Sequence, residues 1–104
     1  MTQDRRFAAR RLVRVDVIIN HDFEAGLWKT RNLSLDGALV EMPPETLPLR
    51  AEVEAILALP DRGQLEHYHV AARVVRTEVA GVALAFRDYG IAAYTRLAEL
   101  LQEE

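Results

Sequence analysis

The 104-residue chain has no cysteine, one tryptophan, few other aromatic residues and no long apolar run. The absence of cysteine excludes disulfides, thiol chemistry and metal sites built on thiolates. No apolar stretch approaches the ~20 residues that a membrane-spanning helix needs. The basic N-terminus is not followed by the apolar core of a signal peptide. We therefore expect a cytoplasmic protein without a membrane span.

The net charge of −3 conceals an uneven distribution along the chain. Residues 1–14 hold five arginines and one aspartate, a net +4, whereas the other 90 residues hold eight basic and fifteen acidic groups, a net −7. Such local positive charge favours an anionic partner, with a solubilising tail as the alternative. The acidic remainder and the scarcity of aromatic side chains argue against a nucleic-acid-binding barrel, which needs a stacking platform.

The length predicts one domain over residues 1–104, with a single core and no internal repeat. Residues 1–11 form an arginine-rich arm, residues 12–88 a strand-rich region, and residues 90–102 a helical region. No linker separates these parts.

The strand-rich region begins with alternating apolar residues, which predict a half-buried strand over residues 11–19. Its inner face consists of Val13, Val15, Val17 and Ile19. Residues 21–26 predict a turn with Gly26 at positive φ, followed by a returning strand over residues 27–33. A third strand over residues 38–42 stops at two prolines, because proline cannot donate to a ladder.

Three further strands follow a loop over residues 45–50. Residues 51–59 alternate again, residues 60–63 predict a turn, and residues 67–78 predict a long strand. Ala80 and Gly81 form a tight turn into the last strand, residues 82–86. The inner residues of these strands are Val53, Ala55, Leu57, Leu59, Tyr68, Val70, Ala72 and Val74, with Arg76 as a further candidate. Six strands with short connections predict an all-β antiparallel barrel, because closure removes open edges.

The C-terminal residues change to a helical period, which predicts an amphipathic helix over residues 91–102. The apolar face consists of Ile91, Tyr94, Leu97, Ala98 and Leu101. We expect this face to dock on an open side or mouth of the barrel. The alternative is a second copy of the chain, so a monomer or a weak homodimer is expected.

Two polar motifs carry the candidate chemistry. Arg5, Arg6 and Arg10 precede or begin the first strand, and arginine grips phosphate in a bidentate way and lies flat on aromatic rings. Asn32 and Ser34 sit two residues apart, on one side of a strand end. Gly37 permits a sharp turn or a close ligand approach. Together these residues suit a ligand with phosphates and purine bases, although a capped bulge without a ligand also explains the second motif.

The two motifs, in this order and spacing, resemble the RxxxR and [D/N]xSxxG segments of the PilZ domain family. The resemblance covers residues 4–102, including the hairpin over residues 74–86. It implies a six-stranded antiparallel β-barrel with a C-terminal helix, which binds the bacterial second messenger cyclic di-GMP, as one or two molecules.

The resemblance also assigns the site. Arg6 and Arg10 fill the RxxxR positions, Arg5 is the preceding arginine, and Asn32, Ser34 and Gly37 fill the second motif. These positions are those that bind cyclic di-GMP in the family. Because Arg10 and Arg14 have the same spacing, Arg14 is the alternative partner of Arg10.

The resemblance implies a second-messenger receptor that changes its arm and surface on binding and thereby regulates an unidentified effector protein. The alternative is an adaptor of the same fold that does not respond to nucleotide. No catalysis and no cofactor are implied, since Ser34 has no histidine and aspartate relay. His67 and His69 are two apart on one strand face, which is too few ligands for a metal site.

Overall fold

The structure, a computed structural model, describes residues 13–102. Within them lie six strands and one helix: β1 (Asp16–His21), β2 (Glu24–Leu33), β3 (Gly37–Glu41), β4 (Glu52–Asp61), β5 (Gln64–Glu78), β6 (Gly81–Asp88) and α1 (Ile91–Gln102). No helix in this part of the chain has the length and apolar character needed to cross a bilayer.

The strands form a closed barrel in the order β1-β2-β3-β6-β5-β4, and every neighbouring pair is antiparallel. Consecutive strands pair as hairpins, except that β3 pairs with β6 and β1 closes the barrel against β4. The predicted six-stranded antiparallel barrel with a C-terminal helix is therefore confirmed.

The predicted inner faces of the strands form the barrel core. Val15, Val17 and Ile19 are buried, and so are the four inner residues of β4 and three inner residues of β5, namely Val70, Ala72 and Val74. Val13 and Tyr68 are partly buried and pack against this core. Arg76 is exposed, because a bulge between Val74 and Arg76 breaks the alternation.

The turns are shorter than the sequence predicts. In the first hairpin Asp22 and Phe23 have φ of 51° and 67°, whereas Gly26 pairs with Ile19 inside the ladder. The predicted turn at Gly26 is wrong, because the two-residue loop lies at Asp22 and Phe23, which themselves adopt the positive φ values of a type I′ turn.

The β4–β5 turn follows the same rule. Arg62 and Gly63 have φ of 55° and 83°, and Pro60 and Asp61 continue the strand, so the predicted turn over residues 60–63 begins two residues too early.

Two glycines allow β3 and β6 to approach each other closely. A Cβ on Gly37 would lie 2.2 Å from the carbonyl oxygen of Leu84 on β6. A Cβ on Gly81 would lie 2.1 Å from the carbonyl oxygen of Val40 on β3. Gly81 also has a φ of 151°, which glycine adopts readily. It pairs with Glu78 as the first residue of β6, so the tight turn lies at Val79 and Ala80, one residue before the predicted one. At both ends of the β3–β6 pairing, the close approach of the backbones thus requires a glycine.

Helix α1 packs against β4 and β5 of its own barrel. Its buried residues are Ala93, Leu97 and Leu101, and Leu97 and Leu101 join the barrel core. The predicted apolar face is wrong at two positions, because Ile91 is 80% exposed and Tyr94 is 48% exposed. The helix docks by residues four apart, which rotates these two side chains away from the barrel.

Leu97→Asp is expected to lower the free energy of unfolding by about 3 kcal/mol or more, because a carboxylate would replace a core side chain. Leu97 is only 1% exposed. The control is Ile91→Asp, which changes an exposed residue of the first turn and is expected to stay within about 0.5 kcal/mol. Chemical denaturation checks both, and equal effects would contradict the docking geometry.

Candidate functional site

The short loop between β2 and β3 is built around Ser34. Its side chain is fully buried, and its Oγ donates to Asp36 Oδ1 at 2.5 Å. The same Oγ accepts the Asp36 backbone N–H at 3.3 Å. The Ser34 backbone N–H donates to the Gly37 carbonyl oxygen at 2.9 Å. Ser34 therefore shapes the loop from inside.

Gly37 has a packing role in the same loop. It pairs with Ala85, and the missing Cβ makes room for the Leu84 carbonyl of β6. The group that approaches Gly37 is the backbone of β6, a reason for glycine that the sequence did not predict. The close approach of a ligand stays a prediction.

Asn32 lies near the end of β2, beside a bulge. Thr30 pairs with Val40 and Asn32 pairs with Leu39, so Arg31 is the extra residue between them. Such a bulge redirects side chains locally. Here Arg31 is exposed and Asn32 is partly buried.

Thr30 of β2 forms hydrogen bonds with Val13 and Val15, at the beginning of the described residues. Its Oγ1 donates to the Val13 carbonyl oxygen at 2.6 Å and accepts the Val15 N–H at 2.9 Å. Its own N–H donates to the Val15 carbonyl oxygen at 2.9 Å. Residues 13–15, where the arginine-rich segment ends, therefore lie alongside the strand that carries Asn32.

The outer surface beside these residues carries three basic side chains, Arg14, Lys29 and Arg31, which we name the basic strip. Arg14 Nη1 lies 2.5 Å from Glu41 Oε2, and Arg31 Nη1 lies 3.7 Å from the same oxygen. Lys29 Nζ lies 2.5 Å from Asp16 Oδ1. The strip is exposed, so its ion pairs exchange readily with other anions.

The structure thus brings Asn32, Ser34 and Gly37 together around the β2–β3 loop, whereas the alternative residue Arg14 pairs with Glu41, at the other end of β3 from Gly37. The predicted Arg5, Arg6 and Arg10 lie outside the described residues.

Sequence reasoning missed four contributors to this site: Asp36, Thr30, Arg31 and Tyr89. Asp36 was visible inside the second motif, as the residue before Gly37. Tyr89 had no local signal, since its hydroxyl donates to the Leu35 carbonyl oxygen across 54 positions of sequence.

One histidine of β5, His69, takes part in a surface pair. His69 Nδ1 lies 2.7 Å from Glu54 Oε2, and Asn20 Nδ2 donates to Glu54 Oε1 at 3.0 Å. The bond from His69, with the one from Asn20, lowers the pKa of Glu54. Among residues 13–102 no group of three or more potential metal-ligating side chains is present.

The family model of the PilZ domain matches residues 4–103. The chain therefore belongs to the PilZ domain family. No curated protein sequence matches it.

Solved structures share the fold. The Bacillus subtilis inhibitor of motility, MotI/DgrA, matches with a TM-score of 0.84 and 17% identity over 97% of this chain. This chain spans about half, 52%, of that protein. The PilZ domain of CeSA from a cellulose-synthesizing bacterium matches with a TM-score of 0.69 and 19% identity, over 91% of this chain and 96% of that one.

Gly37→Ala is expected to destabilise the fold by about 1–3 kcal/mol, because the new methyl group would overlap the Leu84 carbonyl. Gly90→Ala is the control, since a Cβ there meets nothing within 4 Å. We expect the control to cost about 0.5 kcal/mol or less. Thermal unfolding in the absence of any ligand measures both, and an unchanged melting temperature for Gly37→Ala would contradict the close approach of β3 and β6.

Proposed function

We propose that this protein is a cyclic di-GMP receptor that changes its arginine-rich arm and its surface on binding and so regulates a partner protein. PilZ domains are typically binding or adaptor domains rather than enzymes. The proposal places the nucleotide between the arm and the β2–β3 loop.

The observation that carries the proposal is the Thr30 anchor. It fixes residues 13–15 on β2, and Asn32 lies on the same strand two positions further on. An arm that leaves Val13 starts next to the second motif. Because Arg5, Arg6 and Arg10 precede Val13 by only three to eight positions, we expect them to reach a ligand that rests on the loop.

Arginine chemistry matches the three parts of this ligand. A guanidinium fork matches O6 and N7 of guanine, its flat face stacks on the purine, and its charge binds phosphate. The basic strip contributes Arg31 next to Asn32, with its charge partly balanced by Glu41. Asn32 offers a donor and an acceptor to a base edge. Ser34 contributes by holding the loop, since its hydroxyl is bonded to Asp36.

One observation favours the second candidate, a nucleotide-independent adaptor. Ser34 and Gly37 are both explained by folding, because one is a buried loop residue and the other relieves a clash with β6. A chain that no longer binds nucleotide would still keep them. The arginines of the first motif favour the receptor, because their charge and planar donors suit a nucleotide with phosphates.

Calorimetric titration of the full chain with cyclic di-GMP, with GTP as control, tests the proposal. We expect saturable binding of cyclic di-GMP alone, and the molar ratio gives one or two nucleotides. Added salt weakens the binding, because phosphate pairing is screened. An absence of binding heat at high protein concentration would contradict the receptor and favour the nucleotide-independent adaptor.

Arg10→Ala is expected to weaken binding by about 2 kcal/mol or more, since it removes charge-assisted bonds to the nucleotide. Arg50→Ala is the control, because Arg50 is exposed and lies outside both motifs. The same titration measures both variants. Wild-type affinity for Arg10→Ala, or an equal loss in both, would sink the arginine assignment.

The RxxxR pair is predicted to be Arg6 and Arg10 rather than Arg10 and Arg14. Arg14 lies in the segment that Thr30 anchors and is paired with Glu41. We expect Arg6→Ala to raise Kd roughly tenfold, as loss of a charged contact, and Arg14→Ala to raise it only about threefold. Parallel titrations decide, and the reverse order would assign the pair to Arg10 and Arg14.

A further inference from the structure

Tyr89 lies between the last strand and the helix, and it reaches the loop of the second motif. It follows directly after β6 and is partly buried. Its hydroxyl donates to the carbonyl oxygen of Leu35, which stands between Ser34 and Asp36. A residue far along the chain thereby contacts the centre of the loop.

The next carbonyl of the loop is held by the same part of the chain. The Phe86 N–H donates to the Asp36 carbonyl oxygen at 2.9 Å. Two successive loop carbonyls, those of Leu35 and Asp36, are therefore bound by the end of β6 and the residue beyond it. The bond from Phe86 uses the backbone, so only the bond from Tyr89 depends on the identity of a side chain.

The ring of Tyr89 is fixed on both sides by aromatic neighbours. Its centroid lies 5.6 Å from that of Phe86 with planes at 56°, and 6.1 Å from that of Tyr94 with planes at 67°. These distances and tilts are those of favourable aromatic pairs. Since Phe86 belongs to β6 and Tyr94 to α1, the ring joins the barrel and the helix at the loop.

The hydroxyl is a donor at neutral pH. Burial raises the pKa of Tyr89 above its ordinary value, and the neighbouring Tyr94 and Asp36 raise it further. A neutral phenol hydroxyl can donate to a carbonyl, whereas a phenolate cannot.

We propose that Tyr89 is a positioning residue, whose hydroxyl holds the Ser34–Gly37 loop in the shape that the nucleotide binds. The inference rests on the proposed cyclic di-GMP function. Without the hydroxyl the Leu35 carbonyl loses this donor, and the loop samples more conformations in the free protein. Binding must then order the loop, and a site that is less preorganised binds more weakly.

The test uses Tyr89→Phe in the full chain, which keeps the ring and removes only the hydroxyl. Loss of one hydrogen bond is expected to raise the Kd for cyclic di-GMP roughly fivefold. Tyr68→Phe is the matched control, because Tyr68 is also partly buried but lies on β5, beside Asp61 and Arg96. We expect the control to bind as the wild type does.

Amide hydrogen exchange on the free proteins provides a readout that does not need the nucleotide. Exchange of the Phe86 amide, which is bonded to the loop, is expected to speed up roughly fivefold in Tyr89→Phe. The Val17 and Leu57 amides in the barrel are expected to exchange as in the wild type. In the wild-type chain, addition of cyclic di-GMP is expected to slow hydrogen exchange of the Phe86 amide. This measurement does not depend on the folding of any variant.

Three results would overturn the inference. The first is wild-type affinity together with wild-type exchange in Tyr89→Phe. The second is faster exchange throughout the barrel, which would make Tyr89 a general stabiliser. The third is faster exchange at Phe86 in a chain whose wild type binds no cyclic di-GMP. That result would show that the loop contact is real but that the proposed function has failed.

Discussion

The close approach of β3 and β6 is the constraint on which the rest of the structure depends. These strands are distant in sequence, and they meet at a seam with Gly37 near one end and Gly81 near the other. At both ends a Cβ would lie within 2.2 Å of a carbonyl oxygen of the opposite strand. The two ends of this pairing therefore depend on the absence of a side chain at each glycine. Because Gly37 also ends the second motif, the same residue fixes the β3–β6 pairing and the end of the loop.

The β2–β3 loop is held by contacts from several parts of the chain. Ser34 and Gly37 of the second motif both have a structural role in it. Ser34 binds Asp36 from within, the Phe86 N–H binds the Asp36 carbonyl, and Tyr89 binds the Leu35 carbonyl. On the neighbouring strand, Thr30 holds residues 13–15 against β2. These contacts hold the loop close to residues 13–15, where the arginine-rich segment ends. In the receptor that we propose, the loop would set the position of the ligand and the arginines would respond to its charge.

The strands and the helix were predictable from the sequence, because each has a characteristic spacing of apolar residues. Alternation predicted the strands and their inner faces, and helical spacing predicted α1, because both depend on local geometry and burial. The turns were misplaced because Asp22, Phe23 and Arg62 adopt positive φ without being glycine. The exposure of Ile91 and Tyr94 depends on the rotation of the helix about its axis when it packs on β4 and β5. Helical spacing in the sequence does not determine this rotation. The second motif was found, but the burial of Ser34 and the contact from Tyr89 are products of tertiary structure.

The most direct test of the central claim is a backbone amide spectrum of the labelled full chain, recorded as cyclic di-GMP is added. We expect the largest shifts of amide signals at Asn32 to Gly37, at residues 13–15 and in the arginine-rich segment. We expect the amide signals of Asp22 and Phe23 to change little, because these residues precede the other end of β2. Shifts concentrated elsewhere on the barrel, or no shifts at saturating nucleotide, would contradict a site formed by the arm and the β2–β3 loop.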